Sequence, residues 1–237
     1  MQSLFTYVSP PGSCHYLPAQ TASIEYELVA NLSAAEYLQR MLDGWRRFGA
    51  MLFRPRCPNC QACMALRVDV AKFAETRSQR RVRKLNESAV KLSIGRPALT
   101  RAKLDLYDRY HAFQTSSKGW PELTPKDPAD YRESYVDNPD FTREWQYHLK
   151  DELIGVGYVD HLSEGLSAIY FFYEPKLRER SLGTWNVLSI MDEARRLHLP
   201  YVYLGYFVEG CGSLEYKANF TPNQLRWPDG SWRDFRE

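Results

Sequence analysis

Three thiols at two-residue gaps, Cys57-Pro-Asn-Cys60-Gln-Ala-Cys63, form the densest group of metal-type ligands in this 237-residue chain. Such gaps let neighbouring thiolates turn toward one centre, with Cys14 as the fourth ligand. Zinc and a 4Fe–4S cluster both accept four thiolates. Small cysteines packed without metal are the alternative. A second group is basic: Arg77-Ser-Gln-Arg80-Arg81, followed by Lys84. On a helix, Arg77, Arg80, Arg81 and Lys84 share one face at spacings of three and four. The planar guanidinium donates two parallel hydrogen bonds to phosphate, so this stripe suits a nucleic-acid backbone. A solvated helix face fits it too. In Arg178-Glu-Arg-Ser181-Leu-Gly183-Thr184 a strand gives way to a helix. Free amides at a helix start bind anions, which makes Ser181 and Gly183 phosphate-site candidates; a plain cap by Ser181 or Thr184 is the alternative. Tyr203-Leu-Gly205-Tyr206 and Tyr170, Phe171 and Tyr173 gather aromatics at two strand ends, and Tyr216-Lys217 follows. Aromatics alternate in ordinary sheets, but this concentration beside a lysine marks a cleft. Tyr206 and Lys217 are its candidate reactive groups. Asp160, at the end of a preceding strand, is a candidate base or amine orienter, or else a turn cap.

These residues need elements to position them. Ser33-Ala-Ala-Glu36 is a capping box, and Tyr37, Leu38, Met41, Leu42 and Trp45 recur at helical spacing after it, with Gly49 as the predicted C-cap. A short strand follows at residues 51–54, then the cysteines, then a strand near 65–70. The Arg-rich segment 76–86 is predicted helical, as is 100 to about 114, and 119–128 reads as a polar loop. Strands are predicted at 144–149 and 153–161 around an Asp151-Glu152 turn, and at 166–173, where Pro175 ends the run. A helix from about 183 to 198 buries Leu188, Met191, Ala194 and Leu197, and a strand at 201–206 follows. No internal repeat is visible. A boundary is placed between residues 96 and 100, giving regions 1–98 and 99–237, with a single shared core as the alternative.

Composition is that of a globular protein, 44% hydrophobic and 25% charged, and the formal net charge is only +2. That total conceals an asymmetry. Residues 72–103 carry ten basic side chains opposed only by Glu75 and Glu87, whereas residues 104–165 carry thirteen acids and six bases. A basic cluster of this kind is the footprint of a phosphate-binding surface. No apolar run reaches the ~18 residues of a membrane helix, and no signal-peptide pattern opens the chain. The cytoplasm is the expected location. There the five cysteines stay reduced, which favours metal binding or chemistry over disulfides.

Antiparallel strands, then a helix, then one more strand is the order of GNAT-type acyltransferases. The fold class expected is therefore α+β, with a GNAT-like transferase fold in the C-terminal half and a smaller cysteine-containing N-terminal region. More specific is an ordered set of segments: Cys14-His-Tyr16-Leu-Pro18, Trp45-Arg46-Arg47-Phe48-Gly49, Arg54-Pro-Arg-Cys57-Pro-Asn-Cys60-Gln-Ala-Cys63, Arg67-Val-Asp-Val, Arg77-Ser-Gln-Arg-Arg81 and Asn86. Ser167-Ala-Ile-Tyr170-Phe, Ser181-Leu-Gly183-Thr, Tyr201-Val-Tyr-Leu-Gly-Tyr206 and Tyr216-Lys217-Ala-Asn-Phe220-x-Pro222 complete it. Together they resemble the arginyl-tRNA–protein transferase family, and within it the bacterial aspartate/glutamate leucyltransferase branch, over about residues 14 to 232. The resemblance implies an N-degron enzyme that moves leucine or arginine from charged tRNA onto proteins beginning with Asp or Glu, with aminoacyl-tRNA and those proteins as partners. In eukaryotic relatives a cysteine site in the N-terminal half is reported to bind iron–sulfur or zinc. This chain departs from that pattern. Leu17 stands where a Cys-x-x-Cys pair would end, the later cysteines are spaced rather than adjacent, and Gly212-Ser-Leu-Glu215 replaces a stretch that usually reads Lys-Met.

No cofactor is needed for the chemistry the resemblance implies. An aminoacyl ester is already activated, and orienting an amine against it contributes on the order of 7–11 kcal/mol. The amine must be neutral, so a base or a dry site helps. A cation that reads the acidic side chain is expected among Arg80, Arg81 and Lys217. Two other function classes fit parts of the chain. An acetyl-CoA-dependent GNAT enzyme leaves the cysteines and arginines unused. A non-catalytic, zinc-bearing RNA-binding module leaves the C-terminal half idle.

Overall fold

The computed structural model describes residues 1–121 and 124–236. The chain opens with β1 (Gln2–Val8), the short pair β2 (Gly12–Ser13) and β3 (Thr21–Ala22), β4 (Ile24–Ala30), α1 (Ala34–Leu42), β5 (Arg46–Phe48) and β6 (Met51–Pro55). Strands β1, β4, β6 and β5, in that order, make a four-stranded sheet. The Ser33 box forms as read: the Ser33 amide donates to Glu36 Oε2 (3.0 Å), and Glu36 N–H returns to Ser33 Oγ. The helix nevertheless ends earlier than expected. Asp43 is its C-cap, Gly44 takes φ +89°, and Trp45 lies beyond it. Gly49 turns the β5–β6 hairpin instead. Its φ is +53°, and a Cβ there would stand 2.4 Å from the Glu133 carbonyl oxygen, so only glycine fits.

Next come β7 (Met64–Asp69), α2 (Arg77–Asn86), β8 (Val90–Gly95) and α3 (Arg101–Lys118), followed by α4 (Pro128–Tyr131) and a π-helical turn at Arg132–Val136. The basic helix has a capping box of its own: Thr76 N–H donates to Gln79 Oε1 (2.8 Å) and Gln79 N–H to Thr76 Oγ1 (3.3 Å). α3 runs a turn longer than its pattern suggested, to a left-handed Gly119. Two residues of the expected loop at 119–128, numbers 122 and 123, lie outside the described residues.

The remaining elements are β9 (Thr142–Leu149), β10 (Glu152–Leu162), β11 (Gly165–Tyr173), a 3₁₀ turn at Pro175–Arg180, α5 (Leu182–Arg196) and β12 (Tyr201–Phe207). After them come α6 (Gly212–Glu215), a 3₁₀ turn at Tyr216–Asn219, β13 (Asn223–Arg226) and β14 (Trp232–Arg236). The β9–β10 turn is Lys150-Asp151, one residue before the expected pair. Both residues have positive φ (+49° and +67°), the backbone a tight two-residue hairpin demands.

These strands build one eight-stranded sheet, β14-β13-β7-β12-β11-β10-β9-β8. β7 and β8 precede residue 98 and the other six follow it, so strands from both sides of that position share the sheet. Neighbours along β10 point to opposite faces. Val159 joins the core beneath α5 with Leu188, Met191 and Ala194; Tyr158 joins an aromatic core beneath α3 with Tyr107, Tyr131 and Phe172. The small sheet and α1 close a third core on Leu162 and Tyr203. Two buried ion pairs tie the parts together, Arg47 with Asp160 and Lys103 with Glu144 (2.5 Å). Among the described residues no helix is long and apolar enough to cross a membrane.

Candidate active site

Every pair of neighbours in the large sheet is antiparallel except β11 and β12. They pair over three residues only, Gly165–Ser167 against Tyr201–Tyr203. β11 then continues to Tyr173 on β10 and β12 to Phe207 on β7 without further pairing to each other, so the two strands part toward their C-terminal ends. Unpaired backbone and side chains facing each other across such a gap are where α/β folds hold ligands. On the β11 side stand Tyr170, Phe171 and Tyr173; on the β12 side stand Gly205 and Tyr206. α5 connects the two strands, and the turn at Tyr216–Asn219 follows β12.

Lys217 joins this gap to β12. Its Nζ donates to the Tyr206 carbonyl at 2.8 Å. A Cβ on Gly205, where φ is +80°, would lie 3.5 Å from the same nitrogen. Burial pulls the Lys217 ammonium down to about 7, and the nearby Arg46 charge adds to the effect while Cys211 opposes it. Burial also raises the Tyr206 phenol, whose OH donates to the Gly44 carbonyl at 2.7 Å. The guanidinium of Arg46 lies over the Tyr206 ring, 5.4 Å from its centroid. Phe48, two residues on in β5, meets Tyr170 of β11 at 5.9 Å between centroids. β5 therefore reaches across both strands of the splayed pair. Beneath Tyr170, His111 accepts from its OH (2.7 Å) through Nε2 and donates from Nδ1 to the Tyr107 carbonyl (2.8 Å), and burial lowers its pKa.

Asp160 does not face this gap. It has no exposed surface; Arg47 Nε donates to Oδ2 at 3.1 Å, Arg47 Nη2 and Thr142 Oγ1 (2.8 Å) donate to Oδ1. Both oxygens are bonded to partners that are themselves buried, and no surface of the carboxylate is open to an incoming amine. The expectation of Asp160 as a base gives way to a tie between β5 and β10.

The four candidate metal ligands do come together, lining one cleft of about 570 Å³ that Tyr206 also lines. Burial, then the neighbouring Cys57, Cys14 and Cys60, push the Cys63 thiol up to about 12. Cys14 Sγ accepts from Leu17 N–H and Cys57 Sγ points at the Ser23 carbonyl. Among the described residues no three His, Cys, Asp or Glu side chains are disposed to hold one ion. As arranged, the thiols do not fit a metal centre or cluster, and no step below runs through one.

α2 stands along one side. Gln79 and Asn86 are buried, while Arg77, Arg80, Arg81 and Lys84 are exposed. Three anchors fix the helix. Gln79 Nε2 donates to the Asn219 carbonyl (3.0 Å), Arg83 forks onto Asp192 of α5 (2.7 and 3.0 Å), and Asn86 Nδ2 donates to the Arg180 carbonyl (2.9 Å). The basic face is thereby tied at one end to the segment bearing Lys217 and at the other to the turn before Ser181. Ser181 has φ +51° and offers no side-chain cap to α5, against the capping alternative. A Cβ on Gly183 would meet nothing within 4 Å. Among the described residues, the first amides of α5 are left without a side-chain partner.

One participant escaped the sequence reading. Arg46 sits in the Trp45–Gly49 segment that carries part of the family resemblance, but nothing in its spacing separates it from Arg47, and only their partners tell the two apart.

The sequence matches two family descriptions: "Arginine-tRNA-protein transferase, N terminus" over residues 12–81 and "Arginine-tRNA-protein transferase, C terminus" over residues 102–226. Aspartate/glutamate leucyltransferase of Campylobacter jejuni is 38% identical over 215 residues, covering 90% of this chain and 88% of the relative. The protein of that name from Nitrosococcus oceani is 37% identical over 233 residues, covering 98% and 96%. Among solved structures, the C-terminal domain of a putative lysylphosphatidylglycerol synthetase from Agrobacterium fabrum aligns over 73% of this chain and 58% of that one, at 11% identity and TM-score 0.49.

Proposed function

This chain belongs to the arginine-tRNA–protein transferase family, and from that premise we propose that it transfers leucine from leucyl-tRNA to the α-amine of proteins beginning with Asp or Glu. The observation that carries the reading is the meeting, at one splayed strand pair, of a depressed lysine and a buried arginine, with a basic helix anchored to the segment that bears the lysine, in a chain that matches relatives named for this activity over nearly its whole length. The sequence order β9-β10-β11-α5-β12 and the parting of β11 from β12 support a GNAT-like acyl-transfer cleft here. Residues before 98 supply the four clustered cysteines, Arg46 and the basic helix; residues after 98 supply the splayed strands, α5 and Lys217. The cytoplasm, where charged tRNA is available, is the location that suits the reaction.

The α-ammonium of the acceptor loses a proton, and its nitrogen attacks the ester carbonyl. A C–N bond forms and the ester C–O bond breaks. The electron pair leaves on the ribose oxygen, which takes up the second proton that the attacking nitrogen sheds as it becomes an amide. Lys217, whose ammonium burial pulls down to about 7, is placed to take the first proton and pass it to solvent. Tyr206 holds Lys217 through its carbonyl and walls the cleft with its ring. Arg77, Arg80, Arg81 and Lys84 bind tRNA phosphates, and the open amides at Ser181–Gly183 take a phosphate near the 3′ end.

Labelled leucyl-tRNA and arginyl-tRNA, each offered to peptides starting with Asp, Glu or Asn, test the proposal. Label should pass from leucyl-tRNA to the Asp and Glu peptides. Absence of transfer from both tRNAs, or equal transfer to Asp- and Asn-starting peptides, would refute it.

A further inference from the structure

Arg46 is 6% exposed. Its Nη1 is committed to the carbonyls of Trp45 (2.8 Å) and Met41 (3.4 Å). Among the described residues, Nε and Nη2 find no hydrogen-bond partner. Folded chains seldom bury a charged donor unpaired, because its lost hydration is not replaced. The two unmet donors are not scattered. The Nε–H and Nη2–H bonds lie on the same edge of the guanidinium and run nearly parallel, the edge that grips both oxygens of a carboxylate. Lys217 lies close by, and its hydrogen bond goes to a neutral carbonyl, so that side brings Arg46 no anion. The Tyr206 ring packs on the guanidinium and keeps water from one face. Arg47, the next residue, shows how the chain neutralises a buried arginine from its own sequence: it supplies Asp160.

We propose that the counter-ion missing at Arg46 is the side-chain carboxylate of the acceptor's N-terminal Asp or Glu, held side-on by Nε and Nη2. The inference rests on the transfer reaction proposed above and assigns its specificity. With the carboxylate fixed on Arg46, the α-amine of the same residue lies a few bonds along the chain, toward Lys217. An Asn or Gln amide would turn an NH₂ group toward one of the two donors and leave it unmet, which is a strong ground for rejection.

The test uses the full chain and otherwise identical peptides starting with Asp, Glu or Asn. Arg46→Lys keeps a positive charge and a donor for the Trp45 carbonyl but lacks the fork. It should raise KM for the Asp peptide on the order of 10- to 100-fold, the loss of charged hydrogen bonds. It should reduce the Asp-to-Asn preference by a similar factor and leave KM for leucyl-tRNA unchanged. An unchanged KM for the Asp peptide overturns the proposal, and so does a rise confined to leucyl-tRNA, which would put Arg46 on the nucleic acid. Fluorescence anisotropy of a labelled Asp peptide, without tRNA, gives an answer independent of catalysis. Wild type should bind it more tightly than the Asn peptide, and Arg46→Gln should lose that difference; equal binding of both peptides by wild type refutes the assignment. A wild type that binds selectively yet transfers nothing would instead sink the transferase reading and leave the carboxylate site standing.

Discussion

Arg46 and Arg47 are consecutive, both buried, and both stacked on aromatic rings. They differ in what completes them. Arg47 is saturated: Asp160, Thr142, Asn138 and the Gly49 carbonyl take every direction of its fork. Arg46 commits one nitrogen to backbone and holds two in reserve. Lys103 and Lys217 repeat the contrast, the first locked on Glu144 and the Ala98 carbonyl, the second on a lone carbonyl. Where a buried cation serves the fold, this chain furnishes the anion from its own sequence. Where the cation lacks one, a ligand is the natural partner.

The contrast can be tested hardest at its saturated end. Asp160→Ala leaves Arg47 buried and uncompensated, and should lower the unfolding free energy by about 3–5 kcal/mol. The denaturant midpoint should fall at constant slope; a wild-type midpoint would break the comparison. Lys217→Met attacks the unsaturated end and should reduce transfer about 100-fold or more, the scale of a lost proton acceptor, while the fold survives. Its stability should move the other way. The folded Lys217 releases its proton at about 7 and the unfolded one near 10.5, so between those values the unfolded chain binds more protons and wild-type stability climbs with pH. Lys217→Met should flatten that climb, measured by denaturation at pH 7 and pH 9.5, and wild-type transfer should rise through pH 7. Arg80→Ala with Arg81→Ala removes exposed cations instead. These should leave the melting curve alone, weaken tRNA binding, and flatten its dependence on salt by roughly 0.7–0.9 for each phosphate no longer neutralised. An unchanged salt slope would take this face out of tRNA recognition. Thr76→Ala is the mildest probe: losing the α2 cap costs about 1 kcal/mol, visible as a small drop in the midpoint.

The sequence was most informative where local chemistry decides structure. Ser33–Glu36 was read as a capping box and forms one, while the box at Thr76–Gln79 was passed over. The apolar period of α5 follows from the face it buries, and β9 and β10 were read as strands around a turn that lies one residue from the expected pair. The thiols of Cys14, Cys57, Cys60 and Cys63 share a cleft as their family resemblance implied, but spacing alone did not say whether their sulfurs converge. β1 and β8 were not legible. Both are edge strands with mostly exposed side chains, so neither shows the half-buried alternation that betrays a strand. Gly49 was misread because a glycine after a helical run looks like a cap until the Glu133 carbonyl pressing on it is seen. Asp160 was misread, and Arg46 passed over, for one reason: the partner that saturates Arg47 lies 113 residues away, and no local pattern carries that information.

The place of β7 has a consequence for how this protein is made. It is an early strand, Met64–Asp69, yet its neighbours are β12 and β13, both from the last 40 residues of the chain. During synthesis Leu66 and Val68, fully buried in the finished sheet, have no strand to pair with until residues beyond 200 have left the ribosome. Pairings so distant in sequence close slowly, since each must overcome the entropy of a long loop. The large sheet is therefore completed late, its apolar early strand waits exposed, and a chain stopped before β12 leaves a surface prone to aggregation.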